Sequence, residues 1–182
     1  MTADLAASVR QRLLNQSQKL GEVFDLTLTR YTIERFLYRL TCSAYADQFV
    51  LKGAILFAVW TGQMYRPTRD IDLLGFGDSS AETLIHLFKE ICAVEVEPDG
   101  LMFDGRSVQV EEIREAQEYP GQRVRLQAHL GQARISLQVD IGFGDVITPA
   151  APEVEYPQLI RLFRPLGCVF TPKKRSLPKN FR

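Results

Sequence analysis

The chain is poor in the residues that staple small proteins together. Its 182 residues include 3 Cys, 2 His and 1 Trp. Cys42, Cys92 and Cys168 are odd in number and form no Cys-x-x-Cys pair, which argues against a disulfide framework or a zinc knuckle. Cys42 and Cys92 fall in helical apolar patterns, where they are expected to pack as small hydrophobes. Long apolar runs are missing too. The longest strongly apolar stretch is Ala54–Trp60, far short of the roughly 20 residues of a membrane-spanning helix. The Met-Thr-Ala-Asp-Leu start lacks the basic-then-apolar pattern of a secretion signal, so a cytoplasmic protein with no membrane partner is expected.

Net charge is also absent, with 22 Lys and Arg against 22 Asp and Glu. The balance hides an asymmetry. Residues 161–182 carry seven of the basic residues and no acid, leaving 15 basic against 22 acidic residues in the remainder. An acidic body is a poor non-specific binder of nucleic acid, and the basic end reads as a solvated tail. What is present in quantity is core material, 46% hydrophobic and 10% aromatic, enough for one ordinary domain.

Apolar spacing predicts a first amphipathic helix over 4–20, with Leu5, Val9, Leu13 and Leu20 inward. A second is expected from about Thr29 to Asp47, with Ile33, Phe36, Leu37 and Leu40 on one stripe. Together they make an N-terminal helical section over 1–47. Phe49-Val50-Leu51 reads as a strand, Lys52-Gly53 as a turn, and Ala54–Trp60 as a buried helix. Asp70–Leu74 reads as a strand, and Ser79–Glu82 opens a surface helix to about Ile91. Asp104-Gly105 between Leu101–Phe103 and Val108–Val110 is a hairpin signal. Two strands follow, with Val124, Leu126, Ala128 and Leu130 inward on one, and Ala133, Ile135, Leu137, Val139 and Ile141 inward on the other. Period two then puts Arg134, Ser136, Gln138 and Asp140 on the opposite face. The expected class is α+β: a mixed β-sheet with helices packed on one side.

Asp70 and Asp72 leave one face of their strand about 6–7 Å apart at the alpha carbons. Two carboxylates so placed repel, and are stable together where solvent screens them or a hard cation such as Mg²⁺ neutralises them. Asp140 is the natural third member, since a third carboxylate allows two ions about 3.5–4 Å apart, the clamp of phosphoryl transfer. The Lys52-Gly53 turn, opening a helix, offers backbone N–H groups and a positive dipole end to an anion. Thr68 and Arg69 add a hydroxyl and a fixed cation suited to phosphate. Other chemistries fit less well. Ser136 has no Gly-x-Ser-x-Gly turn or partnered His for acyl transfer. The Asp-x-Asp of a haloacid-dehalogenase phosphatase follows a hydrophobic strand, whereas Tyr65-Arg66-Pro67-Thr68-Arg69 precedes Asp70 here. His86 and His129 have no ligand-spaced partner and read as solvent-facing.

Three segments, Phe49–Ala54, Arg66–Leu73 and Val139–Asp145, resemble in order and spacing the AbiEii/AbiGii-type nucleotidyltransferase toxins of the DNA polymerase beta-like superfamily. The resemblance covers about residues 10–158. It implies a nucleotidyltransferase-like domain over 1–158 and a toxin of a toxin–antitoxin or abortive-infection pair. Such a toxin uses Mg²⁺ to transfer a nucleoside monophosphate from an NTP to an acceptor hydroxyl, tRNA ends being an acceptor among relatives. A cognate antitoxin is the implied partner. By the same resemblance Asp70 and Asp72 bind metal, and Asp140 completes the site and helps activate the acceptor. Lys52 and Gly53 hold the triphosphate, with Thr68 and Arg69 beside it. Two departures stand out. Gly53-Ala54 lacks the hydroxyl of the superfamily's Gly-Ser, and from Leu159 the chain does not resemble the family's helical C-terminal region. Residues 159–182 are therefore expected to be a basic tail replacing that region. The alternative expectation is a truncated, catalytically impaired remnant that binds nucleotide or an antitoxin.

Overall fold

The computed structural model describes residues 2–52, 69–113, 121–144, 154–156, 158–160 and 166–169. Helix α1 spans Thr2–Leu20 and α2 spans Phe24–Cys42, followed by a single 3₁₀ turn over Ala46–Gln48. Val9 and Leu13 of the predicted α1 stripe are fully buried, but Leu20 is 47% exposed because the helix ends there and Gly21 turns the chain at φ 65°. Helix α2 begins five residues before the expected Thr29. Its N-cap, Val23, makes no side-chain cap bond, so burial of Thr27 and Leu28 sets this start rather than capping chemistry. The predicted stripe is correct: Ile33, Phe36, Leu37 and Leu40 are all buried. Cys42 is exposed, contrary to expectation, because it lies two residues past Leu40 and so on the far side of the helix. Cys92 does pack against the core, and burial pushes its thiol up to about 12.

The strands are β1 Phe49–Lys52, β2 Asp70–Gly75, β3 Leu101–Ile113, β4 Gly121–Leu130 and β5 Ala133–Phe143. They form one sheet in the order β1-β2-β5-β4-β3, mixed because β2 and β5 run parallel while the other neighbours are antiparallel. Helix α3, Ala81–Cys92, links β2 to β3 and is capped by Ser80, whose hydroxyl accepts from the Thr83 amide. The apolar face of the sheet packs on the helices as one core that includes Leu51, Ile71, Leu73, Val124, Leu137, Val139 and Ile141. This is the α+β architecture expected, with the described helices on one side.

The Asp104-Gly105 hairpin does not form; Leu101–Ile113 is one strand carrying a bulge. Between Asp104↔Gln127 and Gln109↔Arg125 the chain advances five residues on β3 against two on β4. Local turn chemistry is still at work there. Asp104 Oδ1 accepts from the Arg106 amide, and the Ser107 hydroxyl donates to the Asp104 carbonyl while accepting from the Gln127 amide.

Past the sheet, β6 Val154–Tyr156 pairs antiparallel with β7 Leu166–Val169. Leu159 and Ile160 pack against the main core, so the chain on both sides of residue 158 takes part in described structure. Gly53, Thr68 and the helix expected over Ala54–Trp60 lie outside the described residues, as does the end of the tail. Among the described residues no helix is long and apolar enough to cross a membrane.

Candidate active site

Strand alternation decides which side chains meet on the sheet face opposite the described helices. Residues directly opposite each other across a ladder point to the same side of the sheet. Lys52 pairs with Asp72, Asp72 with Asp140, Asp140 with Arg123, and Arg123 with Glu111. These five residues therefore form a single row across all five strands, on one face, in the charge order plus, minus, minus, plus, minus. One step along the strands the next row contains Asp70, Gln138, Arg125 and Gln109. Asp70, Asp72 and Asp140 thus share a face, as the sequence alternation requires, and Lys52 joins them.

The two central carboxylates stand on adjacent strands, about 5 Å apart at the alpha carbons, close enough to repel. A cation flanks each. Lys52 extends from β1 over β2, since a Cβ built on Gly142 would lie 2.9 Å from the Lys52 Nζ. On the other flank Arg123 donates from Nε to Asp140 Oδ1 at 2.7 Å and from its terminal nitrogen to Oδ2 at 2.8 Å. Gln138 Nε2 also donates to Oδ2, at 3.3 Å. The hydrogen bonds to Asp140 push the Arg123 pKa up, burial opposes this, and the fields of Asp140, Glu111 and Asp70 add to the rise.

Beside Asp70 opens a cleft of about 410 Å³, between the start of α2 and the first residues of β2 and β5. Arg69, Arg125 and Arg134 line it together with Thr29, Ser136 and Gln138. Arg125 is also bridged to Glu111 at 2.8 Å. Arg69 is exposed at the mouth of β2, next to Asp70. The surface His86 sits against Glu90 at 3.3 Å on α3, away from this face.

The donor chemistry of Asp70, Asp72 and Asp140, hard oxygens on one face, fits a divalent cation such as Mg²⁺. Among the described residues no three such side chains are gathered as metal ligands, and the Asp140 carboxylate is turned to Arg123. Strand alternation predicts the face on which Asp140 lies but not its partner Arg123. The signal for it was available. Leu130 pairs with Ala133 around Gly131, and counting back seven residues on each arm of that tight hairpin brings Arg123 opposite Asp140.

A family model described as nucleotidyl transferase AbiEii toxin, type IV toxin–antitoxin system, matches residues 35–172. The chain belongs to the AbiEii nucleotidyl transferase toxin family. The AbiEii match contains the whole charged row and also β6 and β7. It runs past residue 158 to residue 172, so the family likeness extends beyond the 10–158 expected from the motifs and includes the start of the segment from Leu159. No curated protein and no solved structure matches the chain significantly. Membership in AbiEii indicates a nucleotidyltransferase toxin of a type IV toxin–antitoxin system.

Proposed function

We propose that this AbiEii chain is a Mg²⁺-dependent nucleotidyltransferase that transfers a nucleoside monophosphate from an NTP to an acceptor hydroxyl. RNA, a tRNA end in particular, is the proposed acceptor, and a cognate antitoxin the proposed partner. The observation that supports this best is the register Lys52–Asp72–Asp140, which sets a long flexible cation and two facing carboxylates side by side on one sheet face. In this reading Asp70 and Asp72 hold the cation and Asp140 completes the site. Lys52 and Gly53 hold the triphosphate, and Thr68 and Arg69 contribute a hydroxyl and a fixed charge to it. When bound, Mg²⁺ would neutralise the phosphates and polarise the one under attack. The chain's own residues act mainly by positioning and charge compensation, with Asp140, once turned from Arg123, as the group to accept the acceptor's proton.

Asp72→Asn tests the reading. The variant should lose NTP-dependent labelling of RNA while its circular dichroism stays native, and full labelling would reject the mechanism. Calorimetric titration with Mg-NTP, run beside the labelling assay, separates the alternative: binding by the unmodified chain without turnover selects an impaired protein that only binds nucleotide or antitoxin.

A further inference from the structure

We propose that Arg123 is the internal counter-ion of this site, holding Asp140 while no divalent cation is bound and releasing it when one binds. Cation entry and Arg123 departure are then a single exchange. The inference rests on the nucleotidyltransferase reading above and deepens it with a residue on a strand outside the three motif segments.

The geometry is specific. Both Asp140 oxygens are taken, at 2.7 and 2.8 Å, by two donors of one guanidinium. That fork directs the carboxylate toward β4, away from Asp72 on β2, so Asp140 has to give up Arg123 to share a ligand with Asp72. The pair is accessible, with side-chain exposures of 28% for Arg123 and 16% for Asp140, so solvent and ions reach it. The exchange also preserves charge balance, because two facing carboxylates need positive charge between or beside them whether or not a metal is present. On its other flank Arg123 has Glu111 as register partner, a carboxylate already bridged to Arg125 through Oε1 that the released guanidinium would share. A purely structural bridge between β4 and β5 is the competing account, and it makes the opposite prediction for cation affinity.

The test is a titration of the full chain with Mn²⁺, read from the free-ion electron paramagnetic resonance signal, on the unmodified protein and on D72N, R123Q and R123K. Removing the competitor in R123Q should raise Mn²⁺ affinity by about tenfold, the worth of one charge-assisted pair. R123K keeps the charge without the fork and should lie between. Unchanged or weaker Mn²⁺ binding by folded R123Q overturns the proposal. Should R123Q fail to fold, R123K decides by the same sign: tighter binding supports the exchange and equal binding overturns it. The unmodified protein tests the underlying reading separately. If it binds no Mn²⁺ that D72N removes, the nucleotidyltransferase site itself is rejected, and the exchange with it.

Discussion

The carboxylate of Glu34 on α2 accepts a hydrogen bond from the backbone amide of Leu159 at 2.9 Å, joining residues 125 positions apart at the edge of the core. Glu34 is only 1% exposed, and its Oε1 has no hydrogen-bond partner among the described residues. Burial is the main cause that pushes its pKa up from 4.5 to about 7, against the Leu159 amide, Arg35 and Arg30, with Asp99 adding to the rise. A carboxyl whose folded-state pKa is raised gives stability that is full below its unfolded value and lost as pH rises through the folded one. Between pH 4.5 and about 7 this group should therefore cost the fold on the order of 3 kcal/mol. Glu34→Gln keeps an acceptor for Leu159 and removes the charge. Urea unfolding at pH 5 and pH 8 should show the variant gaining on the unmodified protein at the higher pH. Parallel pH slopes for the two proteins would contradict the assignment.

Asp99 has the opposite sign. It is 1% exposed and gathers Arg39 at 2.7 and 3.1 Å and Arg35 at 2.8 Å, while its carbonyl accepts from the Tyr31 hydroxyl at 2.8 Å. Burial opposes its ionisation, yet Arg39 and then Arg35 outweigh burial and hold its pKa below the usual carboxylate value. Its contribution is thus present above its unfolded pKa of 3.8 and lost on further acidification. Asp99→Ala leaves two buried guanidinium groups without this carboxylate and should cost about 3–5 kcal/mol. Chemical denaturation of the variant measures this directly. A loss under about 1 kcal/mol, the size expected of an exposed pair, would show that the cluster is not acting as a buried one.

Much of this was readable in the sequence, and the unread part has a pattern. The stripe Ile33, Phe36, Leu37 and Leu40, the inward sets of β4 and β5 and the outward position of Asp140 all follow from period alone, because each concerns one element and one buried face. The misses involve partners outside the element. Asp104-Gly105 carries a correct local turn signal, but β4 continues past it, and pairing with β4 absorbs the turn as a bulge. The start of α2 follows tertiary burial rather than a cap. Nothing near Asp99 announces its arginines, which lie 60 and 64 residues earlier in the chain. The site falls between these cases. Its acids were visible as motif residues, whereas the order β1-β2-β5-β4-β3 was needed to see that Lys52 and Arg123 bracket them.

Gly142 offers a way to disturb one of those brackets without touching a charged residue. It sits on β5 two residues beyond Asp140 and on the same face, opposite Leu74 of β2. A methyl group added there would meet the Lys52 Nζ at 2.9 Å and Cε at 3.8 Å, with no backbone atom within 4 Å among the described neighbours. The obstacle is the far end of a flexible side chain, which can swing aside, so Gly142→Ala should change stability by less than about 1 kcal/mol. The position of the ammonium group has to change. If Lys52 holds the triphosphate from over β5, the variant should bind Mg-NTP several-fold more weakly in a calorimetric titration, as one displaced charge-assisted contact would. Lys52→Met should weaken binding at least as much, and combining the two changes should add little, because both act on the same contact. Native-like nucleotide affinity in folded Gly142→Ala, together with a clear loss in Lys52→Met, would mean that Lys52 engages the phosphates from a different position than the one it holds over β5.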